Sequence, residues 1–264
     1  MTSFRDCETE VPIAPASDDA SCGGSASPRK MLVIFHRPES QAGAVGQWLR
    51  ANGFQLDIRC PRAGCALPAT LADHAGAIIF GGPMSANDPE DYIRAEIDWI
   101  SVPLRENKPY LGICLGAQML AKHLGGEVGY HPDELVEVGY YPIEPSEAGA
   151  ALMRWPRHVY QWHREGFTLP AGAKRLASGS AFENQAIQYG DRAFGVQFHP
   201  EATLAIINRW TTHAVHRLSS AGAMPRSEHI LAHDKYGGQQ RAWLDRFMRL
   251  WLALSPAQHA ASLV

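Results

Sequence analysis

The 264-residue chain contains no run of the roughly 20 apolar residues that a membrane-spanning helix needs. It also lacks a charge excess: 24 Lys and Arg against 27 Asp and Glu leave a formal net charge of −3. Such a balance provides no basic field for a phosphate backbone, so nucleic acid is not expected as a partner. Cysteine is sparse, and the five residues (Cys7, Cys22, Cys60, Cys65, Cys114) are odd in number and lack metal-type pairing. The N-terminal MTSFRDCETEVP places acids where a signal peptide carries positive charge and then an apolar core. A cytoplasmic chain is therefore expected, with one thiol kept for its chemistry. Apolar residues are nonetheless 45% of the total, enough for a sizeable core.

Residues 1–29 are rich in Ser, Ala, Pro, Asp and Gly without hydrophobic periodicity, the composition of a disordered tail. Gly23-Gly24 lacks the Gly-Lys-Ser/Thr ending of a phosphate loop. From residue 31 short apolar runs alternate with helical stretches. MLVIFH (31–36), QLDIRC (55–60), GAIIFGG (76–82) and YLGI (110–113) read as buried strands. Helices are expected over 40–51, over 89–107 with a kink or split at Pro103, and over 115–124 before Gly125-Gly126. The second half predicts strands near 134–143, 157–169, 173–178, 184–189 and 193–199, then helices over 204–218 and 239–254. Strand–helix alternation implies an α/β fold, an open and mostly parallel sheet flanked by helices. No linker or internal repeat divides it, which predicts one domain over residues 30–255 and a tail over 256–264.

Chemistry concentrates in three segments. In PYLGICLGAQ (109–118) a strand runs into Gly112-Ile-Cys114-Leu-Gly116 and then a helix, the cysteine form of the G-x-S-x-G elbow. That turn lifts the Cys114 thiol clear of the sheet at a helix N-terminus, where free N–H groups favour thiolate. The plainer reading, a buried packing cysteine, calls for a partner base to decide. FGVQFHPE (194–201) offers one: residues i and i+2 of an extended chain share a face, so Glu201 can orient His199 while His199 takes the thiol proton. FGGPM (80–84) follows a predicted strand, where two glycines let backbone approach a substrate. The Gly82 and Leu115 N–H groups would pair as oxyanion donors.

Taken in order, GGPMS, GICLGAQ and QFHPE resemble the class I, triad-type glutamine amidotransferases, over about residues 31–205. The likeness is greatest to free-standing members related to the glutaminase domain of GMP synthase. The resemblance implies that family's flavodoxin-like fold, with Cys114 as nucleophile, His199 as base and Glu201 as its orienter. It also implies Gly82 and Leu115 as oxyanion donors, with Gly81 and Gln118 beside the glutamyl moiety. QWHREG (161–166) resembles a pocket segment of the family, which makes Trp162 and His163 candidate substrate contacts; Arg164-Glu165 intervene before the family's Gly.

Other features read more plainly. His229 and His233 stand at i, i+4 without a third ligand and are expected to be solvated, so no metal is predicted. Cys60 and Cys65 read as unpaired thiols. Trp243, Phe247, Leu250, Trp251 and Leu254 form a stripe expected to pack the last helix on the sheet. No Ser-Gly-Gly-x-Asp-Ser loop occurs, so neither a synthetase domain nor ATP is expected, and no cofactor. Three functions stay open: a glutaminase passing ammonia to a separate synthetase-type partner, a γ-glutamyl peptidase, and a silent binding module. Intact Cys114, His199 and Glu201 argue against the last. Pocket width beyond the scissile bond separates the first two.

Overall fold

The computed structural model describes residues 29–253. The expectations for the two tails, for Cys7, Cys22, Gly23-Gly24 and for Leu254 lie outside the described residues.

The apolar runs of the first half form β1 (Arg29–Ile34), β2 (Phe54–Arg59), β3 (His74–Ile79) and β4 (Tyr110–Ile113). Between them lie α1 (Gly43–Ala51), α2 (Asp91–Trp99) and α3 (Ser101–Arg105). The stretch around Pro103 is split as the proline predicts. Pro103 sits in the first turn of α3, where a missing N–H leaves no intrahelical bond unmade. After β4 come α4 (Leu115–His123), β5 (Val128–Tyr130), β6 (Glu137–Pro142), β7 (Glu144–Pro145) and α5 (Glu147–Leu152). The chain continues through β8 (His158–His163), β9 (Glu165–Phe167), β10 (Ala173–Ser178), β11 (Ala186–Tyr189) and β12 (Ala193–Val196). It closes with α6 (Leu204–His213) and α7 (Arg226–Ala253).

Eight strands form one sheet in the order β2-β1-β3-β4-β12-β11-β10-β7. Pairing is parallel from β2 through β12 and antiparallel beyond it. Two separate antiparallel ribbons, β5–β9 and β6–β8, stand beside the sheet. Alternation along β1 sends Met31 and Val33 to one face and Leu32 and Ile34 to the other, and all four are fully buried. Val45 and Leu49 of α1 and Trp243, Phe247 and Trp251 of α7 cover the first face. Ile93, Val102, Leu115 and Met119 cover the second. The aromatic stripe of the last helix thus packs on the sheet, Trp243 stacking on Phe247 at 5.0 Å. Among the described residues no helix is long and apolar enough to cross a membrane.

Several elements depart from the sequence expectation. The last helix starts at Arg226 rather than at 239: Gly237-Gly238 has low helix propensity, yet tertiary packing carries the helix through it. That longer helix overturns the expectation of solvated histidines. His229 is fully buried, its Nδ1 3.0 Å from the Tyr160 hydroxyl and its Nε2 3.0 Å from the Met224 carbonyl. Burial lowers its pKa, which fits a neutral ring with Nε2–H donating to Met224. His233 is half-buried, with Nδ1 2.8 Å from the Tyr140 hydroxyl. The single strand expected over 157–169 breaks at Arg164, so that β8 joins β6 while β9 joins β5. The helix expected to reach 218 ends at His213, followed by a 3-10 turn (Val215–Ser219).

The strand order reverses at β1, whose neighbours are β2 and β3. In open α/β sheets ligands gather in the crevice outside the carboxyl ends of the strands at such a point. Cys114, Phe80-Gly81-Gly82, Phe35-His36 and Gln197–His199 all leave strands at that end.

Candidate active site

Cys114 joins β4 directly to α4 with φ +51° and ψ −104°, a conformation a side-chain-bearing residue rarely adopts. The flanking glycines make the turn possible. A Cβ on Gly112 would lie 2.4 Å from the Gly116 carbonyl oxygen, and one on Gly116 would lie 2.1 Å from the Ile79 carbonyl oxygen. Cys114 is pinned on both sides. Its N–H donates to Val196 O at 2.8 Å, while its carbonyl accepts from Ala117 N and Gln118 N, both at 3.0 Å. Leu115 opens the helix, and at that first position the amide has no intrahelical acceptor.

His199 lies just past β12, and Pro200 keeps the chain from turning helical there. Its N–H donates to Tyr160 O at 2.8 Å, and its carbonyl accepts from Gln240 Nε2 at 3.0 Å. Gln240 Oε1 in turn accepts from Tyr160 N at 2.7 Å, so one buried side chain of α7 ties β8 to the chain just past β12. Glu201 Oε1 stands 2.7 Å from His199 Nδ1, with both side chains buried. Ala44 N, at the start of α1, donates to the Glu201 carbonyl at 2.9 Å. The other ring nitrogen, Nε2, is buried without a hydrogen bond of ordinary geometry and faces Cys114. Burial alone would depress the imidazole. Attraction to the Glu201 carboxylate and the Cys114 thiolate outweighs it and pushes the pKa up to about 10.

Gly81, two residues past the end of β3, lies against this pair. A Cβ there would meet His199 Cε1 at 2.8 Å and Cys114 Cβ at 3.3 Å. Behind it His36 and Glu96, both wholly buried, pair at 2.8 Å through Nε2 and Oε2. The His36 ring lies 3.0 Å from where a Gly82 Cβ would stand, with Nδ1 3.4 Å from the Gly81 carbonyl. This buried pair backs the glycine turn, and nothing in the sequence flagged it.

The three segments open into a cavity of about 580 Å³ that contains Gly81, Gly82, Cys114, His199 and Glu201. Its lining also draws on the segment after β1 and on α6 with the following turn, including Arg37, Arg209, Trp210 and Arg217. Trp210 meets the His199 ring edge-on at 4.8 Å.

The sequence profile described as "Glutamine amidotransferase class-I" matches residues 44–209. The chain is 30% identical over 202 residues to the glutamine amidotransferase-like protein YfeJ of Salmonella typhimurium, covering 73% of this chain and 84% of that one. The chain belongs to the class I glutamine amidotransferases. It is 39% identical over 179 residues to the glutamine-hydrolysing GMP synthase of Aeropyrum pernix, covering 66% of this chain but only 33% of that longer protein. A glutamine amidotransferase structure from Thermotoga maritima superposes with a TM-score of 0.75 at 28% identity, over 86% of this chain and 99% of that one.

The remaining candidate residues of this amidotransferase divide. Trp162 lines the cavity, whereas His163, its neighbour on β8, points to the opposite face. Both His163 nitrogens are engaged, Nε2 with Glu137 Oε2 and Nδ1 with Glu165 O, each at 3.0 Å. Gln118 is buried beneath the elbow, its amide donating to Glu165 O at 2.8 Å and to Gln197 Oε1 at 3.2 Å. Gln197 Nε2 reaches Cys114 Sγ at 3.6 Å, so Gln118 touches the thiol's surroundings through Gln197. Among the described residues no group of three or more His, Cys, Asp or Glu is arranged to hold a metal.

Proposed function

We propose that this amidotransferase hydrolyses a γ-glutamyl amide through a thioester on Cys114, with glutamine as the simplest substrate. The observation that carries the reading is a cysteine at a strained strand-to-helix turn beside a buried imidazole held by a carboxylate. Cys114 is the nucleophile, His199 the acid and base, and Glu201 its orienter. The Cys114 thiolate attacks the amide carbon and a C–S bond forms. The Gly82 and Leu115 N–H groups receive the developing oxyanion, each such donor lowering the barrier by about 2.7–4 kcal/mol. Imidazolium His199 gives its proton to the departing nitrogen as the C–N bond breaks. Water then adds to the acyl carbon, one proton returning to His199. The C–S bond breaks, thiolate and imidazolium are restored, and the carboxylic acid product loses its proton to solvent.

In the glutaminase form ammonia leaves and reaches an acceptor on a separate synthetase-type partner, in the cytoplasm. The likeness to a glutamine-hydrolysing GMP synthase supports this form. Residues 30–255 carry the activity as one domain. Gly81 and Trp162 line the substrate's path, while Gln118 acts through Gln197 and His163 through the network that seats β8 and β9. A second reading, the γ-glutamyl peptidase, draws on the cavity: about 580 Å³ exceeds what ammonia as leaving group calls for.

The test offers the purified chain glutamine and a panel of γ-glutamyl dipeptides and measures glutamate, ammonia and amine. Glutamate release from either substrate class is expected. Cleavage of dipeptides with negligible glutamine turnover assigns the second form. Release from neither, with or without cell extract, contradicts both and leaves the silent module.

A further inference from the structure

The cavity that holds the elbow is also lined by cations. Arg37, Arg209 and Arg217 line it, and the acids beside them are committed. Glu201 holds His199, and Glu39 lies 3.7 Å from Arg37 at the exposed rim. Arg209 donates to the Glu39 carbonyl at 3.1 Å. Arg217, on the 3-10 turn after α6, differs from both. Its guanidinium is half-buried and makes no hydrogen bond or ion pair with any other described residue. An unpaired guanidinium withdrawn from water is costly unless an anion meets it.

We propose that Arg217, with Arg37 and Arg209 around it, is a carboxylate subsite, so that the substrate is a γ-glutamyl amide whose departing amine bears an acid group. The proposal rests on the reading of Cys114 given above and narrows its substrate class. Three observations converge. The cavity lies within the range of about 300–1,000 Å³ that takes ligands larger than an amino acid of about ten heavy atoms. Trp162 and Trp210, their ring centres 5.6 Å apart, give the same cavity flat apolar surface. Electrostatics at Arg217 also lack a fixed counter-charge. Burial and the neighbouring Arg164 and Arg37 lower its pKa, and of its neighbours Cys114 alone favours the charged form. The covalent chemistry is unchanged: the amine leaves with the His199 proton, keeping its own carboxylate.

A γ-glutamyl dipeptide has two carboxylates, one on the glutamyl half and one on the amine. Three substrates separate them: γ-glutamylglycine, γ-glutamylmethylamide and glutamine, of which only the first carries an acid on the departing side. Arg217→Ala and Arg217→Lys are compared with the unaltered full chain by kcat/KM. Thermal unfolding confirms that each variant folds. The expected result is a fall of roughly 10–100-fold on γ-glutamylglycine for Arg217→Ala, with the other two substrates within about twofold. Arg217→Lys recovers part of the loss. Calorimetry in the Cys114→Ala background should show the same selective weakening without turnover. Equal loss on all three would place the glutamyl carboxylate at Arg217 and overturn the proposal, as would no loss, while leaving Cys114 chemistry intact. No turnover of any substrate by the unaltered chain would instead overturn the reading of Cys114 itself and the subsite with it.

Discussion

Cys114→Ala is expected to abolish γ-glutamyl hydrolysis while leaving the fold in place. Removing a covalent nucleophile costs on the order of 10⁵–10⁶ in kcat, because the remaining acid, base and oxyanion donors have nothing to act for. The fold should survive because the strained backbone at residue 114 is set by the glycines around it, Gly112 and Gly116, which stay. The deleted sulfur faces a cavity, so no closed void is left behind, and its hydrogen bond from Gln197 is long, at 3.6 Å. Unfolding temperature should shift by no more than about 2–4 °C, the equivalent of about 1 kcal/mol at this size. Steady-state release of glutamate together with circular dichroism checks both halves. A folded variant that still turns over would remove Cys114 from the chemistry.

Glu201→Gln is expected to lower kcat/KM by roughly 10²–10⁴ and to move its alkaline limb to lower pH. Burial opposes protonation of His199, and the Glu201 carboxylate is the largest influence working against burial. In the unaltered enzyme the imidazolium proton is held until pH rises through about 10, so the acid that protonates the leaving nitrogen is present across neutral pH. Gln at 201 keeps a hydrogen-bond acceptor for Nδ1 but removes the charge. The imidazole then loses its proton at lower pH, with the Cys114 thiolate alone supporting it. The limb belongs to the thiol–imidazole pair rather than to one group, so it is read as a shift of the whole profile. Stability follows the same sign. A folded pKa above the unfolded value of 6.5 contributes fully below pH 6.5 and is lost as pH rises through about 10. The pH dependence of kcat/KM for both proteins decides the matter. An unchanged alkaline limb would separate Glu201 from His199.

The parts of this site carried by local geometry were legible in the sequence. Gly112-x-Cys114-x-Gly116 at a strand-to-helix junction leaves little choice of turn, and an i, i+2 pair at the end of a strand places His199 and Glu201 on one side. The parallel strands were equally readable, since β1, β3 and β4 are short apolar runs buried on both faces. What could not be read depends on distant segments meeting. Arg37, Arg209 and Arg217 are far apart in sequence, and only the folding of α6 and its following turn beside the segment after β1 gathers them at the cavity. His36 and Glu96 are far apart in sequence and each looks like an ordinary polar residue, yet they pair in the core behind Gly82. His163 and His229 show the same limit. Each is absorbed by buried partners supplied from elsewhere, Glu137 and Tyr160.

The central claim is a covalent glutamyl group on one sulfur, and it can be weighed directly. The full chain is mixed with γ-glutamyl substrate, quenched in acid during turnover, and digested for mass spectrometry. The account predicts one added glutamyl group on the peptide carrying Cys114, released by hydroxylamine and absent from Cys114→Ala. Turnover with an unmodified Cys114 peptide at every quench time, or the adduct on another residue, would contradict it.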